Sequence, residues 1–150
     1  MALYAIAAGA YVLDRVTKVL AESSLQDRAP IDLIPGVLQL RFTTNPGGVF
    51  GLFGSVPWLF VGISVLVIGA VVLISRRLAT TTSAVGLGLV LGGAAGNLTD
   101  RLVRGPGLAG EVVDFIDFQV WPVFNLADSA IVLGVVVLVL HGIRRDPERE

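Results

Sequence analysis

The chain has 150 residues, of which 54% are hydrophobic and 15% charged, and its mean hydropathy is +0.81. These values are too apolar for an ordinary soluble domain and are typical of a protein that crosses a membrane several times. The net charge of -1 provides no basic field to attract nucleic acid. Because cysteine is absent, disulfides, thiolate metal sites and cysteine nucleophiles are excluded.

Four apolar segments predict membrane-spanning helices in one mainly α, polytopic domain, since about 20 helical residues cross a bilayer core. They cover approximately residues 2–20, 58–74, 83–98 and 128–143. The first contains Asp14 and Lys18, which can pair on one helix face. We expect it to be a retained helix and not a signal peptide, because charges interrupt its apolar run.

The third predicted span is rich in glycine. Gly88, Gly92 and Gly96 are spaced by four residues and therefore share one helix face. A neighbouring helix can approach such a smooth strip closely. We interpret most of these glycines as packing positions.

Arginines near the span ends predict the orientation. Arg76 and Arg77 directly follow the second predicted span, and Arg144 and Arg145 directly follow the fourth, so all four lie on the same side of the membrane. The positive-inside rule then places both termini in the cytoplasm. Segments of about 21–56 and 99–127 would lie outside, and they contain most of the acidic residues.

The first outer segment carries a strand pattern and a turn signal. Leu38, Leu40 and Phe42 alternate with polar residues, which predicts a short, half-buried strand. The run Asn45-Pro46-Gly47-Gly48 follows and predicts a turn.

Two aspartates beside the spans are the strongest candidates for chemistry. A carboxylate near the bilayer centre costs about 2.5–3.5 kcal/mol on insertion scales, so it indicates a functional site. Asp114 lies between Val113 and Phe115, and apolar neighbours raise a carboxyl pKa by desolvation. Asp128 follows Asn125 at a capping-box spacing, where the helix dipole favours a charged carboxylate. A plain helix cap and an incidental loop acid remain the alternatives.

If Asp114 and Asp128 meet in the fold, two like charges at close range cannot both ionise. The pair would share one proton, activate a water molecule and protonate a leaving amine. The run from Asn97 to Arg101 adds polar groups at the end of the third span. Asn97 could donate to a substrate, and Arg101 could pair with Asp100 or extend to the interface. The single histidine, His141, is assigned no catalytic role.

Five runs, in order, resemble lipoprotein signal peptidases, the bacterial signal peptidase II family of intramembrane aspartyl proteases. They are Asp14 in the first helix, Asn45-Pro46-Gly47-Gly48-Val49-Phe50-Gly51, Gly92-Gly93-Ala94-Ala95-Gly96-Asn97-Leu98-Thr99-Asp100-Arg101, Val112-Val113-Asp114-Phe115 and Phe124-Asn125-Leu126-Ala127-Asp128-Ser129. Val49 stands where the family usually has a small residue, and Thr99 where it usually has an apolar one.

The resemblance implies an enzyme that cuts the signal peptide from diacylglyceryl-modified prolipoproteins, just before the lipidated cysteine. Its catalytic pair falls on Asp114 and Asp128. Its supporting residues fall on Asp14, Asn45, Gly47, Asn97, Asp100, Arg101 and Asn125. It also implies a monomer in the bacterial inner membrane among phospholipids, with an active site near the outer face. No metal or other cofactor is expected, globomycin would occupy the substrate site, and the first outer segment would form a β-cradle.

Three other functions remain open from the residues alone. Intramembrane acids also mark ion or proton carriers. Asp100, Asp114, Asp117 and Asp128 could instead offer oxygen ligands in a metal-dependent transferase. A structural membrane protein without catalysis is the third alternative.

Overall fold

The computed structural model describes residues 1–47, 57–76, 80–108 and 110–144. The helices in this part of the chain are α1 (Ala2–Leu25), α2 (Pro57–Ser75), α3 (Thr81–Val103) and α4 (Leu126–Ile143). The strands are β1 (Ile31–Ile34), β2 (Leu38–Asn45) and β3 (Val112–Asp117). The prediction of a mainly helical fold is therefore confirmed.

Within the part of the chain that the structure describes, two helices have the length and composition needed to cross a membrane. They are α2, through its window Trp58–Ser75 with mean hydropathy 2.6, and α4 with mean hydropathy 2.2. Both are built largely from valine, isoleucine and leucine, and few of their side chains are buried inside the protein. Their exposed apolar surface is typical of helices that face lipid.

The first and third helices are longer than predicted. The α1 helix continues to Leu25, and α3 continues to Val103 instead of ending near residue 98. Helix α3 thus continues five residues beyond the predicted end of the third span. In this last turn the side chain of Asp100 is buried and contacts Arg15 and Lys18 of α1 and the C-cap residue Arg104.

The α3 helix is central and packs against the other three helices, most extensively against α4. Gly88 and Gly92 face α1, where a Cβ atom at Gly92 would lie 2.5 Å from the Ala7 carbonyl oxygen. Gly93 faces the first turn of α4 at Ala127. The prediction that the glycines allow close helix packing is confirmed.

The three strands form an antiparallel sheet in the order β1-β2-β3. The predicted strand is confirmed as β2, whereas β3 comes from the second outer segment and pairs Asp114 with Thr43. The first of the two predicted outer segments contributes β1 and β2 to the sheet, and β3 from the second completes it. The predicted turn is described only as far as Gly47, and Val49 lies outside the described residues.

The sheet and the chain after it bring β3 to the start of α4. Val113 and Phe115 of β3 pack against Ala21 and Leu25 at the end of α1. After β3 the chain turns back, and Phe124 forms backbone hydrogen bonds with Ile116 of 3.0 and 2.9 Å. This pairing sets where α4 begins, one residue after the N-cap Asn125.

Gly92→Ala should lower the free energy of unfolding by about 1–3 kcal/mol, because the added methyl group clashes with the backbone of α1. Thermal unfolding in detergent micelles measures the effect. Gly9→Ala on α1 is the matched control, since a Cβ atom there meets nothing within 4 Å. Equal unfolding midpoints for the two variants would contradict the assignment of the glycine strip to helix packing.

Candidate active site

Asp114 and Asp128 line the same cavity, which has a volume of about 370 Å³. Asp114 projects from β3 and is only 2% exposed, while Asp128 lies in the first turn of α4. Burial, and then the neighbouring charge of Asp128, raise the pKa of Asp114 to about 7. The prediction that apolar neighbours and a facing carboxylate raise this pKa is confirmed.

Asn125 connects the two carboxylates. Its Nδ2 donates to Asp114 Oδ1 at 2.7 Å, and its Oδ1 accepts from the Asp128 backbone N–H at 2.9 Å. In return, Asp128 Oδ2 accepts from the Asn125 backbone N–H at 3.2 Å. The predicted capping box is confirmed, and the same contacts hold the two acids in register.

Asn97 supports Asp128 from α3. Its Nδ2 donates to Asp128 Oδ1 at 2.8 Å, while its Oδ1 accepts from Lys18 Nζ at 2.9 Å and from Asn125 Nδ2 at 3.1 Å. These bonds fix which end of the amide faces Asp128. Asn97 therefore holds the carboxylate of Asp128 directly, as expected for a residue that supports the pair.

A buried charge cluster lies behind Asn97. Lys18 is fully buried, and its Nζ lies 3.0 Å from Asp14 Oδ2 and 2.8 Å from Asp100 Oδ2. Asp14 Oδ1 also accepts from the Ala127 backbone N–H at 3.0 Å, which ties α1 to α4. The Asp14–Lys18 pair is confirmed, and it belongs to a larger cluster that the spacing did not predict.

Further residues of this cluster were not among the predicted site residues. Arg15 contacts Asp100, and Arg104 reaches both Asp100 at 3.0 Å and Glu22 at 2.8 Å. The sequence signals that could have indicated these residues are the charges on one face of α1 and the polar residues at the end of α3.

Arg101 does not pair with Asp100, whose oxygens contact Arg15, Lys18 and Arg104. Its guanidinium instead lies 5.1 Å from the centre of the Phe60 ring and donates to the Gly110 carbonyl at 3.3 Å. This position places Arg101 on the cavity wall.

Gly47 and Asn45 close the β2 side of the site. Gly47 has a φ of +104°, and a Cβ atom there would lie 3.0 Å from Phe60 and 3.5 Å from Arg101. Its backbone N–H donates to Asn45 Oδ1 at 2.8 Å. Asn45 lines the cavity and forms a hydrogen bond that lowers the pKa of Asp114. Both predicted residues therefore lie at the cavity or directly beside it.

The remaining cavity lining is mainly apolar and comes from α2, α4 and the chain before α4. It comprises Phe60, Ile63, Ser64, Val112, Trp121, Pro122, Val123, Phe124 and Ile131. Such a cavity suits a substrate with apolar side chains whose backbone reaches two carboxylates. Of the predicted site residues, Asn45, Asn97, Arg101, Asp114 and Asp128 line the cavity. Asn125 and Gly47 contact residues of this lining, and the buried Asp14 and Asp100 lie behind it.

The four acids of the metal-site alternative do not converge. Asp117 contacts Arg41 and Gln39 at 2.6 and 2.7 Å, and these hydrogen bonds, that of Gln39 first, lower the pKa of Asp117. Asp100 contacts three cations, so only Asp114 and Asp128 face the cavity. Within the described ranges, no three His, Cys, Asp or Glu side chains form a group that could hold a metal ion.

Comparison with known proteins gives consistent results. The family model described as "Signal peptidase (SPase) II" matches residues 6–144. A lipoprotein signal peptidase of Rhodococcus jostii (strain RHA1) is 44% identical, over 99% of this chain and 77% of that protein. One from Streptomyces griseus is 45% identical, over 93% of this chain and 72% of that protein.

Solved structures agree with the sequence comparison. A bacterial membrane enzyme determined in meso at 2.3 Å has a TM-score of 0.85 and 27% identity, covering 99% of this chain and 91% of that one. A second, determined at 1.9 Å, has a TM-score of 0.81 and 29% identity, covering 96% and 93%. With the family match spanning nearly the whole sequence, the chain belongs to the signal peptidase II family.

Proposed function

We propose that this protein is an intramembrane aspartic endopeptidase that removes the signal peptide from diacylglyceryl-modified prolipoproteins, cutting just before the lipidated cysteine. The observation that carries the proposal is the carboxylate pair Asp114 and Asp128, held by one asparagine in a largely apolar cavity. Relatives over 40% identical are named lipoprotein signal peptidases, which supports the same substrate class here. The pair faces one cavity at one end of the helices, whereas a carrier needs access from both sides.

The chemistry follows from one proton on the pair. Asp128, charged at the helix N-terminus, takes a proton from a water molecule, and Asp114 donates its proton to the scissile carbonyl oxygen. The water oxygen bonds to the carbonyl carbon and forms a tetrahedral intermediate. The C–N bond then breaks as the cysteine nitrogen receives the proton from Asp128 and Asp114 regains its own. The product keeps a lipidated N-terminal cysteine.

Supporting residues act on this reaction by position. Asn125 and Asn97 hold the carboxylates at fixed angles, which favours attack by a well-oriented water molecule. Arg101 and Asn45 line the cavity and supply donors for the peptide backbone of the substrate. The end of the signal helix occupies the space between α2 and α4, where Ile63 and Ile131 face the cavity.

The membrane arrangement is part of the proposal. All four helices span the bacterial inner membrane, both termini lie in the cytoplasm, and the sheet with the cavity lies near the outer face. The charged and polar residues of β2 and β3 suit an interface, while α2 and α4 suit the bilayer core. The enzyme acts as a monomer among phospholipids, and globomycin inhibits it by occupying the cavity.

Asp114→Asn and Asp128→Asn should each reduce cleavage of a lipidated prolipoprotein in liposomes by at least about a thousandfold. Each variant keeps only one carboxylate, so the two side chains can no longer share a proton. Asp117→Asn is the matched control from the same strand, since its side chain does not line the cavity, and it should keep activity within about fivefold.

Expression and thermal unfolding midpoints are compared for all three variants. Near-normal cleavage by Asp114→Asn or Asp128→Asn would reject the proposal that these two residues are the catalytic pair. Loss of wild-type activity with EDTA would favour metal chemistry, and no cleavage by wild type in lipid would reject the protease proposal.

The rate of cleavage should fall above neutral pH. The pKa of Asp114 is raised to about 7, so the proton it donates is lost as pH rises through that value. We expect kcat/KM to decrease about tenfold per pH unit above this point. A profile between about pH 5 and 9 measures it, and a flat alkaline limb would contradict the role of Asp114 as the proton donor.

Thermal stability gives a test of the same titration without activity. The folded state binds the Asp114 proton more tightly than the unfolded chain, whose ordinary pKa is 3.8. Stability from this group is therefore full below that value and is lost as pH rises to about 7. The unfolding midpoint of the wild type should fall more steeply over this window than that of Asp114→Asn. Parallel curves would contradict the raised pKa.

Single cysteines should report the orientation, since the natural chain has none to interfere. Asp32→Cys on β1 should react with a membrane-impermeant maleimide in spheroplasts. Thr82→Cys, exposed in the first turn of α3, should react only after the membrane is permeabilised. The reverse pattern would reject the proposed orientation.

A further inference from the structure

A second cavity of about 540 Å³ adjoins the catalytic one, and we call it the side groove. It is lined by Phe118, Trp121, Phe124, Asp128, Ser129, Val132 and Leu133. Trp121, Phe124 and Asp128 also line the catalytic cavity, so the two cavities lie side by side at these three residues. The side groove therefore extends the active site along α4.

The side groove is mainly apolar and includes exposed side chains of α4. Val132 and Leu133 are 60% and 58% exposed on the outer face of α4. Phe118 and Phe124 stack with their ring centres 5.9 Å apart and form a flat wall. Of the two polar lining residues, Ser129 donates to the Asn125 carbonyl at 3.1 Å, and Asp128 belongs to the dyad. The surface that the described residues present to the groove is thus almost entirely apolar.

We propose that the side groove holds an acyl chain of the diacylglyceryl group on the substrate cysteine, an inference that rests on the proposed function. Cleavage just before that cysteine places its Cα one residue from the reacting carbonyl, and consecutive Cα atoms are about 3.8 Å apart. Its thioether and glyceryl group must therefore leave the catalytic cavity close to Asp128. The side groove is an apolar exit that begins at this residue.

Charge distinguishes this occupant from a phospholipid of the surrounding bilayer. Among the described residues that line the side groove there is no cation, and the one charged residue of that set is Asp128. A phosphate headgroup at this point would be repelled, whereas the diacylglyceryl group is uncharged. The groove therefore suits the lipid part of the substrate.

The contribution of the groove is positional. Lipid tails are as apolar as the groove, so an acyl chain gains little transfer free energy by entering it. A chain held between Trp121 and Leu133 instead fixes the register of the peptide relative to the carboxylates. Displacement of a reacting group by about 1 Å can cost about a hundredfold in rate, so the effect appears in kcat/KM.

The test compares two substrates with the same peptide, one carrying palmitoyl chains and one carrying butyryl chains. Val132→Trp fills the groove and should lower the ratio of kcat/KM, palmitoyl over butyryl, by about tenfold or more. Val139→Trp is the matched control. It lies two turns further along the same face of α4, is 53% exposed and does not line the groove. Its ratio should equal that of the wild type.

A ratio for Val132→Trp that stays within about twofold of the wild type, or a decrease that Val139→Trp shares, would overturn the inference while the proposed function stands. Wild type that cleaves neither substrate would instead reject the proposed function. A photoreactive diazirine on the palmitoyl chain, used with the inactive Asp114→Asn variant, gives a readout without turnover. Labelling of Trp121, Val132 or Leu133 supports the inference, and labelling confined to α1 or α2 overturns it.

Discussion

The arrangement of the helices depends on the buried ammonium group of Lys18. Removing such a charge from water costs several kcal/mol, which is recovered only when its partners are in place. Its contacts with Asp14 and Asp100 therefore require α1 and α3 to pack in one register. Asp14 extends the constraint to α4 through the Ala127 N–H. Glycines at the helix contacts allow the close approach that these short ion pairs need.

The neutral amide of Asn97 separates this charge cluster from the carboxylate pair. Lys18 donates to one end of the amide, and the other end donates to Asp128. A direct ammonium contact would favour two charged carboxylates, whereas the amide fixes geometry without placing a cation on the pair. Burial and Asp128 accordingly outweigh Lys18 in setting the pKa of Asp114. The same cluster can therefore stabilise the fold without a direct contact between Lys18 and the carboxylates of Asp114 and Asp128.

Hydropathy predicted the helices, and alternation predicted β2, because each pattern repeats locally along the chain. The alternation of apolar and polar residues could not predict β3, because β3 is buried on both faces and its sequence does not alternate. The ends of α1 and α3 were missed because their polar residues bond one another across helices. Asp114 and Asp128 could be predicted as site residues from their sequence neighbours and from the family resemblance. The contacts of Arg101 could not be predicted, because three other cations bind the carboxylate of Asp100 and only the packed structure shows this.

The proposed substrate has a peptide part and an acyl part, and the two parts need different partners in the binding site. Its peptide carries N–H and C=O groups, and each costs several kcal/mol if left unpaired in an apolar site. The catalytic cavity meets that need with Asn45, Arg101 and the carboxylates. Acyl chains need no such partners, and the described lining of the side groove is almost entirely apolar. Because Asp128 lines both spaces, a substrate with its lipid attached one residue from the scissile bond fits them together, whereas an unmodified peptide fills only one.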